Sequence, residues 1–128
     1  MDILAHGVYN IALQKTIQKE HRGWKPTLAA FGWGILPDFA AFSIPFAQGI
    51  LSGSFGHHAV IGGLDLAHTI YQYSHSLVIF FAVFLLTFFF TRRWYLPMLG
   101  WGLHIVMDMP LHTPHFFPTP FLFPLSSY

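Results

Sequence analysis

The chain is 128 residues long, 54% hydrophobic and 19% aromatic, with 9% charged residues, a net charge of +1 and a mean hydropathy of +0.52. That profile belongs to a membrane protein of a single unit, residues 1–128, and its sparse cations exclude a nucleic-acid surface, which needs a dense basic patch to neutralise phosphates. Cysteine is absent, which excludes disulfides and thiolate metal sites, whereas nine histidines outnumber the six bases and the five acids taken separately.

In chain order, the opening MDILAHGVYNIALQ lacks the basic start, unbroken apolar run and small-residue cleavage pattern of a signal peptide, so it is expected to stay in the mature protein. The first helical segment covers about residues 2–19 and ends in the polar turn QKEHRGWKP, which holds Lys19, Arg22 and Lys25 just after Lys15. Segment two starts at Pro26, a residue suited to a first helical turn, and runs towards Leu51 with kinks expected at Pro37 and Pro45. Residues 52–64, SGSFGHHAVIGGL, cluster glycine and serine and read as a loop. Segment three is expected from Asp65, as a helix cap, to Thr91; its SLVIFFAVFLLTFFFT core reaches bilayer length when extended back to Asp65. Arg92 and Arg93 close it, and segment four runs from Trp94 to about Met109. Five prolines among the phenylalanines from Pro110 onward forbid a regular helix, so the tail is expected to lie along the membrane interface. The fold class expected is therefore all-α: a polytopic four-helix transmembrane bundle with an irregular Pro/Phe-rich C-terminal tail.

Short cytoplasmic loops are enriched in lysine and arginine, so four passes place both basic turns, 15–25 and 92–93, on the cytoplasmic side and both termini outside. Counting from those turns at about 1.5 Å per residue puts His6, Asp38, His75, His104 and Asp108 roughly 14–26 Å above the cytoplasmic boundary of a core about 30 Å thick. Four segments thus bring buried polar groups to one band in the outer half of the bilayer. His104 and Asp108 are four apart and share a helix face, a suitable way to offer a nitrogen and an oxygen to one metal ion. His112 is four further on, but Pro110 breaks the register; His68 and His75, seven apart, also share a face. A carboxylate inside a membrane segment is costly unless it is paired or bound to a cation, so Asp38 and Asp108 point to function. His21, His57 and His58 fall in polar loops and read as solvated. The four tryptophans read as interface anchors or packing, and the phenylalanines of 80–90 as lipid-facing or core.

The blocks LAHG at 4–7, GILPD at 34–38, YSHSL at 73–77 and HIVMDMPLHTPHFFPTPFLFPLS at 104–126 resemble those of small bacterial integral-membrane proteins classed as membrane-bound metal-dependent hydrolases. The likeness spans nearly the whole chain and is most specific in its last block. It implies a four-helix domain of the bacterial inner membrane with a histidine and aspartate centre, and hydrolysis as its activity. His6, Asp38, His75, His104 and Asp108 match the polar positions of those proteins, and His112 falls within the last block. Two departures stand out: Ala40 where many members have a second acid, and Ile70 and Tyr71 where many have His-Arg.

Nitrogen and oxygen donors without sulfur suit zinc first, then manganese or iron, as one or two ions. His75, His104 and Asp108 form the expected ligand core. His6 and Asp38 complete it or activate a water, and His112 or His68 would give a proton to a leaving group or contact a substrate phosphate. The substrate expected is a phosphoester or carboxyester of a lipid-like molecule entering from the membrane. No Gly-x-Ser-x-Gly elbow, phosphate-cradling loop or dinucleotide fingerprint occurs. The alternative is a non-catalytic membrane protein that binds, senses or passes a metal ion or protons.

Overall fold

The structure, a computed structural model, describes residues 2–19, 23–51, 53, 59–111 and 118–126. Among these residues it is helical with no strand: α1 (Ile3–Ile17), α2 (Trp24–Leu51), α3 (Ala59–Ser74), α4 (Leu77–Thr91), a 3₁₀ turn (Leu96–Met98) and α5 (Leu99–Asp108). Asp2 starts α1 by accepting the Leu4 N–H at 3.0 Å. α2 runs unbroken through Pro37 and Pro45 and packs against α1, α3 and α5, which makes it the central post.

The segments differ in reach. α2 has 28 residues and is long and apolar enough to cross a membrane; Asp65–Ser74 and Leu77–Thr91 make a second candidate if taken as one span bent by 55°. By contrast, α1 and α5, of 15 and 10 residues, extend only about 23 and 15 Å at 1.5 Å per residue, short of a 30 Å hydrocarbon core. Pro97, in the first turn of the 3₁₀ segment, delays the helical start expected at Trp94.

Segment three also departs from expectation. Its helix starts at Ala59, inside the expected loop, so Asp65 is no cap; it lies exposed within α3, where its carbonyl accepts the Thr69 hydroxyl at 2.9 Å. The chain then breaks at His75–Ser76. Ser76 is extended (φ −99°, ψ 122°), and its Oγ accepts the Ile79 N–H at 3.2 Å to cap α4. The same hydroxyl donates to the Phe123 carbonyl, and the Leu77 N–H donates to the Phe121 carbonyl at 3.0 Å. The described part of the C-terminal tail is irregular, as its prolines demand, and residues 118–126 fold back onto this break. Thr119 and Pro120 are buried, Thr119 is hydrogen-bonded to Tyr71, and Phe123 meets Tyr73 edge-on at 5.0 Å. Ser76→Ala should therefore cost about 1–2 kcal/mol, a lost cap plus a buried carbonyl without its donor. An unfolding titration in mixed micelles, with Thr16→Ala at an exposed site as the control, measures it.

Burial is inverted relative to a water-soluble protein. Among the described residues, the largest fully buried side chains include His6, Asn10, His75, Ser76, His104 and Asp108, with only Ile105 and Pro37 apolar. Phe39, Phe42, Phe46, Phe81, Leu85, Leu86, Phe89 and Phe90 face outward. A small apolar core of Phe80, Met98 and Ile105, flanked by Trp33, Phe84 and Trp101, joins α4 to α5.

Glycine sets the closest helix approach. A Cβ on Gly34 would lie 2.6 Å from the His6 carbonyl oxygen and 2.9 Å from the Gly7 Cα, so α1 and α2 meet backbone to backbone. Further along α1, Asn10 donates to the Ala30 carbonyl at 2.5 Å and the Pro97 carbonyl at 3.2 Å, and Gln14 donates to the Leu96 carbonyl at 2.8 Å. These amides hold the end of α1, the start of α2 and the turn after Arg92 and Arg93 together, which gathers the basic turns at one end of the molecule.

Candidate metal centre

The five polar side chains are delivered by four elements. α1 supplies His6, α2 Asp38, the α3–α4 break His75, and α5 both His104 and Asp108. Pro37 lacks the N–H that would bond the Trp33 carbonyl, so the α2 ladder is weakened beside Gly34. The Gly34 carbonyl lies 2.7 Å from His104 Nδ1. A carbonyl can only accept, so Nδ1 carries the hydrogen and the neutral His104 ring offers a lone pair at Nε2. His75 is set the same way. Its Nδ1 lies 3.0 Å from Ser74 Oγ, and when that hydroxyl accepts from Nδ1 the His75 Nε2 is left as an acceptor.

Those two lone pairs point at each other and at two carboxylates. His75 Nε2 is 3.1 Å from His104 Nε2, 3.4 Å from Asp38 Oδ1 and 3.6 Å from Asp108 Oδ2; His104 Nε2 is 3.5 Å from Asp38 Oδ1 and 3.2 Å from Asp108 Oδ2. All four donor atoms lie within 4.8 Å of one another, and such a group could hold a metal ion. Four buried acceptors facing one point repel unless a cation or a shared proton sits among them. The spacings favour an ion. A tetrahedron with metal–donor distances of 2.0–2.2 Å has edges of about 3.3–3.6 Å, and the five contacts measured here run from 3.1 to 3.6 Å.

His6 stands just outside this set. Its ring stacks on His104 with centroids 3.7 Å apart, and its Nε2 approaches Asp108 Oδ1 at 3.1 Å. It is buried, and its Nδ1 has no hydrogen-bond partner among the described residues. Asp38, with 13% of its side chain exposed, lies on the open side of the cluster.

Of the residues singled out from the sequence, His6, Asp38, His75, His104 and Asp108 come together. His68 does not: it is exposed on α3, because the break at His75 takes the two histidines off a common helix face. His21, His57, His58 and His112 lie outside the described residues.

Several contributors escaped sequence reasoning. Tyr71 stacks on His75 with centroids 3.7 Å apart and rings 20° from parallel, filling the place where a histidine–arginine pair was noted as missing. Trp101 Nε1 donates to the Ser74 carbonyl at 2.6 Å and steadies the break. Asn10 and Gln14 extend the buried polar face of α1 towards the basic end. Their spacing from His6, four and eight residues, is a one-face signal present in the sequence. No known protein family, no curated protein and no solved structure matches this chain.

Proposed function

We propose that this chain is a membrane-embedded metal-dependent hydrolase, with a divalent ion, zinc foremost, held by His75, His104 and Asp108. The observation that carries the metal reading is that five donor-to-donor distances of 3.1–3.6 Å match the edges of a tetrahedral site, between imidazoles held from behind by Gly34 and Ser74. A four-span arrangement, with α1 and α5 as short spans beside α2 and the bent α3–α4 pair, accounts for the inverted burial: lipid is the solvent that tolerates that apolar skin. The basic turns then face the cytoplasm and the cluster lies towards the other leaflet. The sequence blocks resembling bacterial inner-membrane hydrolases support hydrolysis.

A divalent ion bound here supplies Lewis acidity and acidifies a water. The chain's residues do the rest. Asp38, on the open side, is placed to take a proton from that water. The oxygen of the water goes to the phosphoryl or acyl centre, the ester bond breaks, and the leaving oxygen takes up a proton. His6, in contact with Asp108 and stacked on His104, is placed to relay it. A lipid-like phosphoester or carboxyester reaches the site from the membrane side.

The four-donor closure favours a second reading, a metal-binding protein without catalysis, since closed tetrahedral sites are typically structural. Conduction along α1 is the weaker form of it: the Asn10 and Gln14 amides are committed to carbonyls, and Asn10 packs directly on Gly100.

Asp38→Asn separates the two. As a hydrolase, the variant retains its metal and loses turnover of phosphoester and ester substrates in detergent by roughly 100-fold or more, the scale of general-base removal. As a closed binding site, wild type turns over none of these substrates and the variant loses metal. The second result would overturn the hydrolase.

A further inference from the structure

The basic end of the molecule, remote from the metal centre, carries a cavity of about 770 Å³ lined by Lys15 in the last turn of α1, by Gln18 and Lys19 after it, and by Trp24, Thr27 and Leu28 of α2. The stretch 15–25 holds Lys15, Lys19, Arg22 and Lys25, four of the six cations in the chain, against the single acid Glu20. The Lys25 ammonium stands over the Trp24 ring at 5.8 Å. Of the lining residues, Trp24 and Leu28 are exposed apolar side chains.

A second, smaller space of about 20 Å³ shares Lys15, Gln18 and Thr27 with the first and reaches Gln14. Gln14 is 7% exposed, and its Oε1 has no hydrogen-bond partner among the described residues. A space of that size accommodates one water. An acceptor at the end of a cationic cavity calls for a ligand that brings a donor as well as negative charge.

We propose that this cavity binds the phosphate-bearing headgroup of an anionic phospholipid whose headgroup also carries a hydroxyl. Lys15 and Lys19 face the phosphate, Gln14 Oε1 accepts the hydroxyl through one water, the Trp24 ring sits at headgroup depth, and Leu28 continues as an apolar wall for acyl chains. An inorganic phosphate would use the lysines and leave the apolar wall without a role. The inference rests on the membrane reading but not on the metal centre.

Native mass spectrometry of the full chain in detergent, with phosphatidylglycerol or phosphatidylcholine added, tests it. Wild type should retain phosphatidylglycerol in preference to phosphatidylcholine, and Lys15→Gln combined with Lys19→Gln should weaken retention roughly 10- to 30-fold, at about one lysine-sized increment each. The helical circular dichroism and thermal unfolding of that variant should match wild type, which shows that the fold is intact. Equal retention by the variant, equal retention of phosphatidylcholine, or displacement of the lipid by an equimolar amount of inorganic phosphate would overturn the proposal. Carbonate extraction of the expressed protein from membranes reports separately on membrane embedding, so the two failures are distinguishable.

Discussion

His104→Ala is expected to strip the protein of its metal ion. His104 contributes three of the five donor contacts measured in the cluster, its ring is packed against His6, and its Nδ1 is anchored by the Gly34 carbonyl. Altering the outer partners of a metal ligand costs roughly 10–100-fold in affinity, so removing the ligand itself should exceed that. Elemental mass spectrometry after dialysis reads the loss directly, with circular dichroism confirming that the helices remain. Asp108→Ala should behave alike, since Asp108 Oδ2 closes the opposite side of the cluster. Unchanged metal content in both variants would remove the site as described.

The same site predicts a pH and stability signature. Imidazole binds a metal only when its ligating nitrogen is deprotonated, so protons compete with the ion and affinity falls as pH is lowered. Occupancy should therefore be full on the alkaline side and lost on acidification, with protons taken up as the ion leaves. An ion that binds only the folded chain stabilises it by about 2.7 kcal/mol at a hundred times its dissociation constant. Chelation should destabilise wild type by that order and leave His104→Ala unaffected.

Gly34→Ala should combine a packing defect with a binding defect. The added methyl would press on the backbone of α1, not on a flexible side-chain end, so relief requires α1 and α2 to part. Overpacking of this kind costs about 1–3 kcal/mol. Because the Gly34 carbonyl also holds His104, parting the helices should loosen that ring and lower metal affinity by roughly 10–100-fold. Gly32→Ala is the control. A Cβ there meets nothing within 4 Å, so the change should be neutral or stabilise the helix by up to about 1 kcal/mol. Equal effects from both substitutions would show that helix contact at Gly34 is not what limits the site.

How much of this was legible in the residues follows from the range of the forces involved. Helical periodicity is local, so the shared face of His104 and Asp108, and the cost of a carboxylate at 38 or 108 among apolar neighbours, can be read from the chain alone. The gathering of His6, Asp38 and His75 in one band followed from counting residues, because rise per residue is nearly constant. The break at His75–Ser76 was not legible. It depends on carbonyls of Phe121 and Phe123, more than forty residues downstream, which accept the Leu77 N–H and the Ser76 hydroxyl.

Sequence alone determined the chemistry available here: apolar helices without cysteine, basic turns, and a few imidazoles and carboxylates too costly to bury without partners. Only the tertiary structure decided which of them meet. The 3.1–3.6 Å donor spacing depends on how closely helices approach, set at Gly7 and Gly34, and on how the rings are tied back, set by Gly34 and Ser74. Those are contacts between segments distant in the chain, and no local periodicity encodes them.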